Sequence, residues 1–452
     1  VPARTPTTRY LERHAEPQAR YEWPFDTSFD HVVVVPAFDE TRDFIDAALA
    51  RPDAASWLLI VVANARSDAA PSAIARTEQL LNLNPGSGFH AKPTSSGKAW
   101  QATAGRRGVW LVDAVSPAGR FDARQGVGLA RKIGLDLALA QIVAGRIDNA
   151  LMWCTDADAT WPANYFDHEP GPDISAVTFG FRHTGALASS AAQIVYDQRL
   201  RDYPRELTRA GSPYGFQALG SAMAISAVHY AQASGCPTRQ AGEDFHLLAK
   251  LAKLGQIEHR PETVVELRAR HSERVPFGTG PGVRRLDTQN DPTSVPFFFA
   301  TRSFDFLGQL IATLKRAVLA PSPTAGRACL QSLIQDSKPD GLSDDLADVL
   351  GLNALIAAIE RARSASADPE RRVQHIMTWF DALRTLRLLH RLRDAGWANV
   401  SYQQLRKNEP DRLARGADAG QEEVPAEALG SSSSTAEPSE AVESDSTSAA
   451  SD

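Results

Sequence analysis

The sequence predicts an α/β protein, a strand-and-helix domain followed by an all-helical appendage and an acidic tail. Three observations predict it. Continuous apolar runs at 32–35, 57–62, 109–112 and 151–154 read as strands buried on both faces, as in parallel sheets. Segments with helical spacing separate these runs, which is the alternation of βαβ units. From 297 to about 405 no convincing strand appears, and helical periodicity takes over.

Residues 1–29 read as an irregular lead-in, with Tyr21, Trp23 and Phe25 packing on the first domain. The first strand, 32–35, is expected to end at Pro36, and 41–50 forms the next helix. The second strand runs into the polar turn 64–68, and 71–83 sets Ile74, Leu80, Leu81 and Leu83 along one helical face. The Gly-, Pro- and Ser-rich stretch 84–98 reads as a loop. Its Gly97-Lys98 is no P-loop, because Lys92 stands five residues before Gly97. A helix at 125–144 follows a Gly-x-Gly turn, and Arg131 in place of a third glycine breaks the dinucleotide fingerprint.

The strand at 151–154 stops at Asp156 and Asp158. Beyond it come a strand at 176–181, a long helix at 186–210 and a small-residue segment at 210–226 suited to close backbone approach. An amphipathic helix opening on Gly242-Glu243-Asp244 and a strand at 263–267 complete the first domain. In the appendage, four or five helices are expected. The clearest begins with Asp368 as N-cap and Pro369 at N1 and continues through Val373, Ile376, Met377, Phe380 and Leu383. The resulting division is 1–29, 30–290, 291–410 and a tail at 411–452.

Composition narrows the function. Of the net charge of −6, eight acidic residues at 421–452 account for more than all, and the remainder carries +2. A near-neutral body gives no electrostatic footprint for nucleic acid. The tail, with serine at 431–434, buries too little apolar surface to offset its ordering entropy and is expected to be disordered. Cys154, Cys236 and Cys329 are too irregularly spaced for a disulfide framework or a zinc site. The opening residues lack the apolar core of a secretory signal, and no window reaches the length of a membrane span, so a cytoplasmic protein is expected.

Two aspartates one residue apart at the carboxyl end of a buried strand are the focus of the chemistry. Ligands of open α/β sheets bind at that edge, and hard carboxylate oxygens suit Mg²⁺ or Mn²⁺ carrying a diphosphate. Taken singly, Asp156 and Asp158 are equally turn residues, or one caps a helix near Pro162. Glu243 and Asp244, taken singly, equally complement a helix dipole.

Four features stand in chain order: Pro36-Ala37-Phe38-Asp39-Glu40 after the first strand, Gly126 to Lys132, Thr155-Asp156-Ala157-Asp158, and Gly242-Glu243-Asp244. Together they resemble a GT-A glycosyltransferase of the family 2 type, over about residues 30–286. The resemblance implies a Rossmann-like mixed sheet and an inverting transfer of sugar from a UDP- or GDP-sugar. It sets Pro36, Phe38 and Glu40 by the base and ribose, with Asn64 and Asp68 approximating the polar turn near the base. Arg131 of the A-R-N-like helix is directed at the diphosphate, with Lys132 where asparagine is usual. It assigns Asp156 to the nucleotide sugar and the metal, Asp158 to Mn²⁺ or Mg²⁺, and Asp244 to the base with Glu243 as its neighbour. His271 is a candidate third ligand, with Arg274 beside it as a diphosphate contact; a lone histidine is equally structural.

Chemistry requires the same parts: a cation for the departing diphosphate, and a carboxylate across the anomeric carbon to take the acceptor proton. Two other readings are carried. A nucleotidyltransferase on the related fold would set a glycine-rich phosphate loop where this chain has Pro36 to Glu40. A non-catalytic sugar-nucleotide sensor would use the helical appendage as its interaction module. The appendage is expected to bind the acceptor, oligomerise or dock on a membrane-bound partner, and its pattern does not choose among these.

Overall fold

The computed structural model describes residues 5–414, apart from 52–53, 85, 87, 93, 95–96, 104, 170, 272–277, 338–341 and 343–344. Most of the tail expectation, from residue 415, and Arg274 lie outside the described residues. Ten strands form one sheet: β1 (His31–Ala37), β2 (Trp57–Asn64), β3 (Phe89–Lys92), β4 (Lys98–Ala102), β5 (Arg107–Ala114), β6 (Leu151–Cys154), β7 (Ala159–Thr160), β8 (Ile174–Thr184), β9 (Met223–Ser226) and β10 (Gln256–Arg268). Their spatial order is β3-β4-β5-β2-β1-β6-β9-β8-β10-β7. β5, β2, β1 and β6 are parallel, whereas β9 runs antiparallel to both its neighbours, β6 and β8. The sheet is therefore mixed.

The continuous apolar runs arise because this sheet is covered on both sides. Side chains alternate across the pleat. Val32 and Val34, Leu58 and Ile60, Trp110 and Val112, and Met152 and Cys154 enter one core, under the helix Val127–Val143. Val33 and Val35, Leu59 and Val61, Val109 and Leu111, and Leu151 and Trp153 enter the other, under the helices Asp43–Leu49 and Pro71–Leu80. Leu129, Ile133 and Leu137 fill the first core.

Five sequence expectations need correction. β1 does not end at Pro36 but continues to Ala37, in register with β2. Thr155 donates its N–H to the Val34 carbonyl, so Pro36, two residues on, turns the same way, towards a side where β6 has already ended. The absent proline N–H therefore breaks no ladder bond. Residues 84–98 are not wholly loop: β3 and the start of β4 lie there, and pairing with β5 rather than local pattern makes them strands.

The lead-in contains a helix, Pro6–Arg13, capped by Thr5. It is pinned through Asp136, fully buried, which accepts from the hydroxyls of Tyr10 and Tyr230 and from the Lys132 ammonium, each at 2.7 Å. Beyond residue 300, eight helices occur among the described residues, more than the four or five expected. The Asp368-capped pattern breaks at Phe380, where Asp381 caps a second helix, Ala382–Asp394. Their core (Leu310, Leu314, Ile359, Ile376, Leu389) extends onto Leu207 and Ala210 at the end of the helix Ala191–Arg209. No helix among the described residues is long and apolar enough to cross a membrane.

Candidate active site

The carboxyl ends of β1, β6 and β10, the approach to β9 and the start of the helix Glu243–Leu251 meet along one edge of the sheet. Here the two aspartates acquire partners. Asp156 Oδ1 accepts from Arg131 Nη2 at 2.8 Å. Arg131 is 1% exposed, and its remaining donors reach Glu243 Oε1 (Nε, 3.2 Å) and the Gly220 carbonyl (Nη1, 3.0 Å). The Gly220 N–H donates in turn to Asp244 Oδ2 at 2.9 Å, and Asp244 Oδ1 accepts from the N–H of Phe245 at 2.7 Å. One buried guanidinium and the backbone of one glycine thus link Asp156, Glu243 and Asp244.

Gly220 is a residue that sequence reasoning does not single out. A Cβ there would lie 2.7 Å from Arg131 Nη2, so only glycine lets the peptide pass between the arginine and Asp244. Its signal in the sequence is no more than the small-residue character of 210–226. Gly128 has a comparable packing role: a Cβ would lie 2.4 Å from the Pro237 carbonyl oxygen, so the Gly-x-Gly turn lets the helix approach the segment that leads into Gly242-Glu243-Asp244.

Asp158 has a separate partner. The short β7 pairs with β10 at Glu266 and Leu267, and the Arg268 N–H donates to the Asp158 carbonyl at 2.9 Å. This carries Arg270 across Asp158, donating to Oδ2 from Nη2 (2.8 Å) and Nε (3.1 Å). The same guanidinium donates to Glu40, 3.2 Å from Nη1 to Oε2 and 2.5 Å from Nη2 to Oε1. Glu40 is delivered by the turn after β1, where Asp39 adopts a left-handed φ of 56°. Aspartate tolerates that region better than most residues, and here its N–H is held by Thr77 Oγ1 at 2.8 Å. Arg270 is the second residue that sequence reasoning misses: in the chain it is one of several arginines flanking His271, with nothing local to distinguish it.

The electrostatics are those of crowded carboxylates. Burial, then the adjacent Asp244, push Glu243 up to about 7, against the opposing pull of Arg131. Burial, then Asp156, also raise Asp158, with Arg270 opposing. Cys154, at the end of β6, is pushed by burial up to about 12 and stays a neutral thiol at ordinary pH.

The other expected site residues are scattered. Pro36 is buried within β1, and Phe38 is half-buried against the second core. Asn64 is buried and donates its amide to the carbonyls of Ala37 and Val62, tying the ends of β1 and β2 together. Asp68 pairs with Arg66 at 2.9 Å on the surface. Lys132 turns away from the edge, towards Asp136 and the His14 carbonyl. His271 lies 3.3 Å from Asp287, and no contact among the described residues joins it to Asp156 or Asp158.

The donor set can be tested for a divalent cation. No group of three or more His, Cys, Asp or Glu side chains among the described residues is arranged to hold a metal. Among the described residues the candidate ligands are then the pair Asp156 and Asp158. Among the described residues, Asp156 Oδ2 and Asp158 Oδ1 accept no hydrogen bond. Two hard oxygens in a site with excess negative charge fit Mg²⁺ or Mn²⁺, which keep waters and phosphate oxygens as their other ligands.

No family model matches the chain, and no curated protein matches it. Among solved structures it is similar to the mannosyltransferase PcManGT from Pyrobaculum calidifontis in complex with GDP-Man and Mn²⁺. That alignment has 16% identity, covers 84% of this chain and 94% of the other, and has a TM-score of 0.31. At that score the likeness carries no weight for the function, which rests on the residues at the sheet edge.

Proposed function

We propose that the protein is a divalent-cation-dependent glycosyltransferase of the GT-A, family 2-like type, moving a sugar with inversion from a UDP- or GDP-sugar to an acceptor hydroxyl. One observation carries this reading: Asp156 and Glu243 share one buried arginine at the carboxyl edge of the sheet, the Gly220 backbone links that arginine to Asp244, and Asp158 lies two residues from Asp156. In a single displacement, the acceptor oxygen bonds to the anomeric carbon as the bond to the diphosphate oxygen breaks. Its proton passes to Asp244. Asp244 suits this role because two backbone N–H groups orient its carboxylate.

Asp158 and Asp156 would hold Mn²⁺ or Mg²⁺, which when bound supplies Lewis-acid neutralisation of the leaving diphosphate. Arg131 is enclosed by its protein partners, so its role is to position Asp156 and Glu243 rather than to reach the diphosphate directly. The catalytic unit in this reading is 30–290, and 291–410 is a helical domain that binds the acceptor or a partner.

Thermal-shift and donor-hydrolysis measurements with UDP, GDP and their sugars, with and without Mn²⁺, test the reading. Stabilisation by one of them only with Mn²⁺ is expected, and none at all would sink it. Asp244→Asn is expected to abolish transfer while leaving donor binding intact; loss of both would mean the base is misplaced.

A further inference from the structure

We infer that Arg270 is a built-in counter-ion that competes with the divalent cation for Asp158 and gives way only when an anionic diphosphate arrives to receive its guanidinium. The inference rests on the proposed cation site at Asp156 and Asp158 and concerns how that site is filled. Arg270 donates to Asp158 Oδ2 through both Nε and Nη2, and through Nη1 and Nη2 it also spans Glu40. One planar cation therefore joins two carboxylates that arrive from different strands, β1 and β6, 118 positions apart in sequence between Glu40 and Asp158.

A forked guanidinium is suited to such bidentate recognition of carboxylates, and equally of phosphates. Asp158 and Arg270 are partly exposed, with side-chain accessibilities of 25% and 27%, so ligand and solvent can reach the pair. A metal approaching Asp158 meets a carboxylate that already has a positive partner. It must share that carboxylate or displace the arginine. A nucleoside diphosphate brings both a ligand for the metal and an acceptor for the released fork, so metal and nucleotide bind better together than the metal does alone. Arg270 is thus a positioning residue that makes cation binding depend on the donor.

Removing the fork should therefore change two affinities in opposite directions, which a purely structural role would not do. Mn²⁺ binding without nucleotide, followed by EPR or calorimetry, is expected to tighten in Arg270→Gln by roughly ten-fold, the scale of a lost charge-assisted contact. Binding of GDP or UDP in saturating Mn²⁺, whichever the parent chain prefers, is expected to weaken by a similar factor. Asp158→Asn in the Arg270→Gln background should remove the gain in Mn²⁺ affinity.

Unchanged or weaker Mn²⁺ binding in Arg270→Gln overturns the inference, even when the parent chain binds Mn²⁺ with nucleotide and the functional reading stands. The converse outcome, tighter Mn²⁺ binding with no nucleotide bound by any variant, upholds the counter-ion role and overturns the transferase reading. Should Arg270→Gln not fold, Arg270→Lys keeps a point charge without the fork. It is expected to tighten Mn²⁺ binding by a smaller factor, and no tightening there overturns the inference.

Discussion

Gly220→Ala is the sharpest test of the buried network. The glycine φ lies outside the left-handed region, so the backbone itself accepts alanine. Loss of unfolded-state freedom alone would then favour the variant by about 0.4–1 kcal/mol. The new methyl, however, lies 2.7 Å from Arg131 Nη2, 3.1 Å from Cζ and 3.5 Å from Asp244 Oδ2.

An exposed arginine would swing aside at small cost. Arg131 is 1% exposed and held by Asp156, Glu243 and the Gly220 carbonyl, so moving it breaks contacts to two carboxylates. Overpacking costs about 1–3 kcal/mol, and separating a buried ion pair about 3–5 kcal/mol. Partial relaxation at this edge brings the net loss to about 2 kcal/mol, a fall in Tm of roughly 2–4 °C for a cooperative unit of this size. Differential scanning calorimetry measures this, and titration with Mn²⁺ and nucleotide follows the displaced Asp156. A variant as stable as the parent, with unchanged binding, would show that Arg131 is free to yield and that the network does not position the site.

Two further outcomes arise from the same contacts. Glu243 holds its proton to about pH 7 in the folded chain but loses it near 4.5 when unfolded, so unfolding releases a proton in that window. Stability contributed by this group is therefore highest below pH 4.5 and falls as pH rises to about 7. Glu243→Gln should remove the dependence, improving relative to the parent by about 3 kcal/mol between pH 4 and pH 8 in chemical denaturation without added metal; a constant difference across that range would refute the assignment. Lys132→Asn, which installs the residue usual in the resembled motif, should lose about 3–5 kcal/mol by leaving buried Asp136 without its ammonium. The same variant should keep its affinity for nucleotide and Mn²⁺, and a selective loss of nucleotide affinity would place Lys132 at the site after all.

The strands legible in the sequence are those whose reason is local. Val32 to Val35, Trp57 to Val62 and Leu151 to Cys154 are continuous apolar runs because a sheet with helices on both faces buries every side chain. β3 and β4 are hidden because they become strands only by adding to the edge of β5, and no local pattern records a partner. The break at Phe380 is hidden for a related reason, since Phe380 is itself buried in the helical core and its apolar spacing continues the helix pattern.

At the candidate site the same division holds. By itself, the sequence determined that Asp156 and Asp158 come directly after a buried strand and that Glu243 and Asp244 open a helix. Backbone periodicity and turn chemistry act over a few residues and leave a readable trace. Tertiary structure alone decided which charges meet. Arg131 reaches Glu243 across 112 positions and Arg270 reaches Glu40 across 230, whereas Lys132, beside Arg131 in the chain, faces the opposite way towards Asp136. Consecutive helix positions point in different directions, and side chains far apart in sequence meet only when the strands carrying them end at one edge of a sheet.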